Sequence, residues 1–167
     1  MGTTITPAQL LANERLQWPG MLPREVIIFR EWLRLHAGEF DRFDGNVRIG
    51  AGHDPGPTWP DEIRRMAIMN TQLRVDAVGY QGAKPFLIEV KDSAGASATG
   101  QLVTDEAVWL QDFPSTPAPG LILVTNRVQA NILPLIQKMG IRLDVVQVDF
   151  SELATKTYYP GFGRGAR

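Results

Sequence analysis

Residues 73–91, LRVDAVGYQGAKPFLIEVK, predict a β-hairpin, and this hairpin decides how the rest of the chain is interpreted. Residues 73–80 and 85–91 are rich in β-branched, aromatic and other apolar side chains, as β-strands are. Residues 81–84 separate them and contain a glycine, which suits a short turn between antiparallel strands. We therefore expect two neighbouring antiparallel strands at this point in the sheet.

Three ionisable residues interrupt these apolar strands: Asp76 lies on the first strand, and Glu89 and Lys91 lie on the second. Alternation along the strand places Glu89 and Lys91 on one face, opposite Ile88 and Val90. The hairpin also brings Asp76 beside Glu89, where two carboxylates would repel each other. A divalent cation or a shared proton would relieve that repulsion.

The composition restricts the kind of metal site that the chain can form. The chain has 167 residues, no cysteine and two histidines, His36 and His53. Disulfides, thiolate nucleophiles and cysteine-ligated zinc are therefore excluded, as is a histidine-rich site. Any metal must be held mainly by oxygen, which favours Mg²⁺, Mn²⁺ or Ca²⁺.

The hairpin residues form a plausible donor set for Mg²⁺, with Mn²⁺ as the alternative. Asp76, Glu89 and the carbonyl of Val90 offer oxygen ligands, and Mg²⁺ commonly binds proteins through one or two carboxylates. The cation would lower the pKa of a bound water and neutralise charge on a phosphate. Lys91 could orient that water or stabilise charge that develops on the phosphate. Phosphodiester hydrolysis uses all three of these groups.

The remaining elements predict one α/β domain with a mixed sheet and helical crossovers. Pro134 inside the last helix predicts a kink or a late start. We expect the apolar side chains of Met66 and Met69, and those of the tryptophans, to pack inward. The expected segments are an N-terminal arm (1–22), a main domain (23–150) and a C-terminal tail (151–167). The arm is expected to contain a helix over 6–16. In the main domain we expect helices near 23–38, 60–70, 100–112 and 128–139, strands at 46–49, 120–125 and 141–148, and a loop at 92–100.

The stretch RVDAVGYQGAKPFLIEVKDSAGASATGQL, residues 74–102, resembles the PD-(D/E)XK, or restriction-endonuclease-like, nuclease superfamily. The family pattern is an Asp on one strand followed by Glu-x-Lys on the next, and Asp76 with Glu89-Val90-Lys91 matches it. Val75 stands where the family's Pro would be. The resemblance spans about residues 23–148. It implies an αβββαβ core, with the helix near 60–69 as an insertion.

The resemblance also implies two further site residues and an activity. Gln101 matches a polar residue that the family often carries on the helix after the second strand. Either Glu25 or Glu31 could match a glutamate on the first helix. The implied activity is Mg²⁺-dependent hydrolysis of DNA with Asp76, Glu89, Lys91 and Gln101 as site residues. Asp76 and Glu89 would be the metal ligands.

The net charge of −1 keeps other interpretations open, because proteins that grip DNA along many phosphates are usually basic. The triplet could be a solvated face of a half-exposed sheet, or the nuclease fold could persist without activity. One such alternative is a non-catalytic component of a phage head–tail or neck assembly. The expected partners are DNA and other protein subunits, such as phage structural proteins, that order the termini.

The sequence also predicts where the chain resides. No apolar run approaches the length of a membrane span, and the N-terminus lacks the basic and apolar regions of a signal peptide. We expect a cytoplasmic or virion protein that is not secreted by a signal peptide.

Overall fold

The predicted hairpin forms the centre of the sheet in the computed structural model, which describes residues 4–6, 8–9, 12 and 18–151. In the described part of the chain, six strands form one mixed sheet in sequence order. They are β1 (Thr4–Ile5), β2 (Arg42–Ile49), β3 (Leu73–Gln81), β4 (Lys84–Ala94), β5 (Gly120–Val128) and β6 (Arg142–Val145). The first four strands are antiparallel neighbours, whereas β4, β5 and β6 run parallel to one another.

Helices connect these strands and cover both faces of the sheet. They are α1 (Pro23–His36), α2 (Asp61–Thr71), α3 (Ala96–Asp112) and α4 (Leu133–Lys138), with 3₁₀ turns at Ala37–Glu39 and Ala130–Ile132. The α/β class and the mixed sheet predicted from the sequence are confirmed. None of the described helices combines the length and hydropathy needed to cross a bilayer.

Two apolar layers hold the sheet between the helices. On one face, Phe29 and Trp32 of α1 pack with Ile88 of β4 and Ile122 of β5. On the other face, the helix α3 packs with Leu87 and Leu123 through the buried side chains of Leu102 and Trp109. The strand β5 is buried on both faces, as its continuous apolar sequence predicts.

Several boundaries differ from the prediction. The stretch 92–100 is not a loop, because β4 continues to Ala94 and α3 begins at Ala96. Ala94 pairs with Val128 of β5, so the neighbouring strand extends this small-residue segment. The last helix starts late, at Leu133, as Pro134 predicts.

The predicted inward packing of Met66 and Met69 is wrong. Their side chains are about half exposed, at 53% and 49%, because α2 lies on the surface and has no buried residue. Trp59 is also exposed, whereas the other three tryptophans are buried.

The ends of the chain are described only in part. The predicted helix over 6–16 lies largely outside the described residues, as does the tail beyond Ser151. Where the start of that helix is described, the hydroxyl of Thr6 accepts the main-chain N–H of Gln9 at 3.3 Å, as an N-cap does.

Candidate functional site

The site lies where β3 and β4 separate. Their antiparallel ladder reaches the pair Ala77 and Ile88, and Asp76 and Glu89 are the next residues along each strand. Beyond that pair, Oδ2 of Asp76 accepts the main-chain N–H of Val90 at 3.0 Å. A side chain thus satisfies a donor that the opened ladder leaves free, which fixes the Asp76 carboxylate beside β4.

The strand β3 changes face at Asp76. Residues two apart on a regular strand share a face, yet Ala77 packs in the α1 layer and Val75 packs in the α3 layer. The neighbouring strand β2 is irregular at the same level, where Asn46 has a φ of 50°. This local irregularity carries Asp76 out of the regular alternation.

Trp18 supports the irregular segment from outside the sheet. Its indole N–H donates a 3.0 Å hydrogen bond to the main-chain carbonyl of Asp76. The indole also lies close to Gly45, since a Cβ added there would come within 2.6 Å of Trp18 Cζ2. The sequence offers no signal for this role, because Trp18 is 58 residues away from Asp76.

Lys91 is the positive centre of the site. Its Nζ lies 2.6 Å from Oε1 of Glu89, 3.6 Å from Oε1 of Glu25 and 3.9 Å from Oδ2 of Asp76. The Lys91 side chain is 29% exposed, whereas that of Glu89 is 1% exposed. The site therefore opens to solvent on the side of the ammonium group, with the carboxylates behind it.

Of the two candidate glutamates on the first helix, Glu25 reaches the site and Glu31 does not. Glu25 is buried at the start of α1, and its Oε2 accepts the main-chain N–H of Leu22 at 2.8 Å. Glu31 lies further along α1 and forms an ion pair with Arg34 at 2.7 Å. The structure thus resolves the choice that the sequence left open.

Gln101 approaches the site from α3, as predicted. Its Nε2 donates a 2.9 Å hydrogen bond to Oε2 of Glu89. Sequence reasoning missed Asp105, one helical turn further on, which is 1% exposed. The spacing of four residues was the available signal, because it places both side chains on one face of a helix.

Burial and mutual repulsion raise the pKa values of the acidic groups. Burial, and then the charge of Asp76, raises the pKa of Glu89 from its usual 4.5 to about 8. Burial likewise raises the pKa of Asp76, and burial followed by the charge of Asp76 raises that of Asp105 to about 6. Burial acts to lower the pKa of Lys91, but the nearby carboxylates of Glu89, Asp76 and Glu25 together raise the pKa above its usual value. These pKa directions favour a charged ammonium group and a proton retained by the Asp76–Glu89 carboxyl pair.

The donor set fits a divalent cation that binds through few protein ligands. Within the described residues, no group of three or more His, Asp or Glu side chains is arranged to hold a metal. Asp76 and Glu89 offer two adjacent carboxylates, which is enough for Mg²⁺. Buried Oε1 of Glu89 lacks a hydrogen bond of proper geometry despite its contact with the ammonium group, as expected of an atom suited to a cation.

Two arginines at the surface contact Asp92, the residue after Lys91 in β4. Nε of Arg24 lies 3.2 Å from Oδ2 of Asp92, and Nη2 of Arg127 lies 3.6 Å from the same atom. Both arginine side chains are more than half exposed. Both guanidinium groups therefore meet at the carboxylate of Asp92.

The structure thus brings together Asp76, Glu89, Lys91 and Gln101, all named from the sequence, and Glu25, one of its two first-helix candidates. A surface cavity of about 300 Å³ opens elsewhere, between α1 and residues 147–149, and none of these five residues lines it. The chemistry is therefore concentrated at the opened ladder and not in that cavity. Comparison of the chain with protein-family models, curated proteins and solved structures found no match.

Proposed function

We propose that the protein is a Mg²⁺-dependent nuclease of the PD-(D/E)XK type that hydrolyses phosphodiester bonds in DNA. One observation carries the proposal: the Lys91 ammonium lies within 3.9 Å of three buried carboxylates at the point where two strands separate. Ionised side chains are rarely buried unless they are paired or serve a function. A solvated sheet face would not bury Glu89 completely.

The order of elements supports the family assignment. With α2 set aside, the chain runs α1-β2-β3-β4-α3-β5, which is the αβββαβ order of that superfamily. The helix α2 lies between β2 and β3, where the resemblance implies an insertion. Asp76, Glu89 and Lys91 lie on the two strands that carry the family pattern.

Each site residue has a role that its position supports. Asp76 and Glu89 would hold the cation, which when bound polarises the phosphate and promotes ionisation of the attacking water. Lys91 stabilises negative charge on the phosphate from the solvent side. A cation held by Glu89 would compete with the contact between Lys91 and Glu89, and Glu25 at 3.6 Å would be the alternative partner for the ammonium. Gln101 orients the Glu89 carboxylate by its hydrogen bond.

A local patch, rather than the whole surface, supports contact with DNA. The net charge of −1 argues against binding along many phosphates. Arg24 and Arg127 present exposed guanidinium groups that share the single carboxylate of Asp92, the residue after Lys91. These three cations would contact the phosphates around the bond that is cleaved.

A plasmid-cleavage assay tests the proposal. Wild type, Asp76→Ala and Glu89→Ala are incubated with supercoiled plasmid in Mg²⁺ and, separately, in EDTA. We expect nicked or linear DNA from the wild type in Mg²⁺ only, with both variants inactive. Equal cleavage by all three proteins would place the activity elsewhere or in a contaminant.

A second candidate function is a non-catalytic component of a larger assembly, such as a phage head–tail junction. The exposed apolar side chains of α2 favour it, because Ile63, Met66 and Met69 are 42–53% exposed on a helix with no buried residue. Contiguous exposed apolar residues often mark protein contacts. A folded wild-type protein that cleaves neither plasmid nor single-stranded DNA in Mg²⁺ or Mn²⁺ would favour this candidate over the nuclease.

A further inference from the structure

Asp105 is a buried acid that the roles assigned so far do not use. It is 1% exposed on α3, and within the described residues its Oδ2 has no hydrogen-bond partner. The Asp105 carboxyl is close enough to Asp76, Glu89 and Lys91 for the charges to act on one another. Its position one turn after Gln101 gives it the same orientation as the residue that contacts Glu89.

A structural explanation for Asp105 is weak. Burial of a carboxylate without a partner is costly, and an apolar residue of similar size would be tolerated better at such a position. Nε1 of Trp109, four residues further along the same helix, is itself buried without a hydrogen-bond partner in the described part of the chain. Asp105 is therefore not held in place to satisfy that indole.

The buried charged groups around the site are mostly acidic. Glu25, Asp76, Glu89 and Asp105 are all at most 8% exposed, and Lys91 is the cation that interacts with this group. Fully ionised, the four acids carry a large excess of negative charge over the single ammonium. A bound divalent cation would offset much of that excess.

We propose that Asp105 is a positioning residue of the divalent-cation site, accepting hydrogen bonds from the hydration shell of the cation that Asp76 and Glu89 hold. The inference rests on the proposed function. Mg²⁺ retains several waters when it binds through two carboxylates, and those waters need acceptors. Asp105 belongs to no direct three-ligand group in the described residues, which agrees with an indirect role. Loss of such outer groups typically lowers metal affinity about tenfold to a hundredfold.

The inference is tested by measuring Mn²⁺ binding to the full chain at pH 8. Electron paramagnetic resonance reports the concentration of free Mn²⁺. The variants are Asp105→Asn, Asp105→Ser, Glu89→Gln and, as a matched control on the same helix, Glu106→Gln. We expect Glu89→Gln to abolish specific binding. Both Asp105 variants should weaken it about tenfold, and Glu106→Gln should leave it unchanged.

Stability without cation separates a positioning role from a structural one. In EDTA at pH 8, Asp105→Asn should be at least as stable to urea as the wild type, because it removes a buried charge. If the Asp105 variants bind Mn²⁺ as tightly as the wild type, the inference is overturned. The proposed function would still stand in that case, provided that binding depends on Glu89. Failure of both Asp105 variants to fold in EDTA would also overturn the inference. If Mn²⁺ binding by the wild type did not depend on Glu89, both the inference and the proposed function would be overturned.

Discussion

The indole N–H of Trp18 donates a hydrogen bond to the main-chain carbonyl of Asp76 at 3.0 Å. This contact ties the segment before α1 to the point where β3 changes face. It supports the backbone of Asp76, while the N–H of Val90 holds its carboxylate. The position of the metal-ligand candidate is thus set from both sides of the strand.

Trp18→Phe should destabilise the protein and reduce cleavage. It removes the indole N–H and leaves the Asp76 carbonyl without that donor, a loss of about 1 to 3 kcal/mol. Urea denaturation measures the change in the free energy of unfolding. The control is Trp59→Phe, since Trp59 is exposed and should change stability by less than about 0.5 kcal/mol. Equal effects of the two substitutions would contradict a specific role for Trp18.

Glu25→Gln should reduce cleavage with little effect on stability. The amide oxygen can still accept the N–H of Leu22, but the negative charge near Lys91 is lost. We expect roughly a tenfold fall in the cleavage rate, equivalent to about 1.4 kcal/mol in the barrier. Glu31→Gln, at the surface of the same helix, is the matched control and should retain full activity. Should Glu31→Gln be the impaired variant, the assignment of Glu25 would be wrong.

The cation-free protein should lose stability as the pH rises from 5 to 8. The pKa of Glu89 in the folded protein is raised from 4.5 to about 8, so the folded state binds more protons than the unfolded state in this range. Stability therefore falls as the pH rises, by up to about 1 kcal/mol per pH unit. Urea midpoints in EDTA at several pH values measure this slope.

Glu89→Gln provides the control for that pH dependence. It removes the titrating group and should remove most of the slope between pH 5 and 8. Added Mg²⁺ should have a similar effect on the wild type, because the cation favours the ionised carboxylates. A stability that is flat or rises with pH in cation-free wild type would contradict the raised pKa.

Arg127→Ala should weaken DNA binding and reduce its dependence on salt. Loss of one phosphate contact should lower the slope of log affinity against log salt by about 1. Fluorescence anisotropy with a labelled duplex, in Ca²⁺ in place of Mg²⁺, measures both quantities. Arg42→Ala is the control, since Arg42 stacks on Tyr80 at the hairpin-turn end of the sheet. Similar losses from both variants would indicate nonspecific attraction rather than a patch beside Lys91.

The hairpin and its triplet could be predicted because alternation along a strand is a local property. Asp76, Glu89 and Lys91 interrupt strongly apolar strands, and strand pairing then brings them together. Gln101 followed from the family pattern. The choice between Glu25 and Glu31 could not be made, because both lie on α1 and the answer depends on how that helix packs against the sheet.

Other features depend on contacts that the sequence does not reveal. The small residues at 92–100 resemble a loop until Ala94 pairs with β5, and Gly95 admits the side chain of Gln129 where a Cβ would clash. Met66 and Met69 have apolar side chains but lie on a helix that no layer covers. Trp18 reaches Asp76 across a long separation in sequence. Each of these outcomes is decided by tertiary packing.

Lys91→Ala and Lys84→Ala form the pair that tests the central claim most directly. Both substitutions remove a lysine from β4, but Lys84 is exposed at the hairpin turn, seven residues and about 23 Å along the strand from Lys91. Initial rates of Mg²⁺-dependent plasmid cleavage are compared with wild type. The account predicts full activity for Lys84→Ala and a loss of at least about a hundredfold for Lys91→Ala. Equal rates for the two variants, or no cleavage by folded wild-type protein, would contradict it.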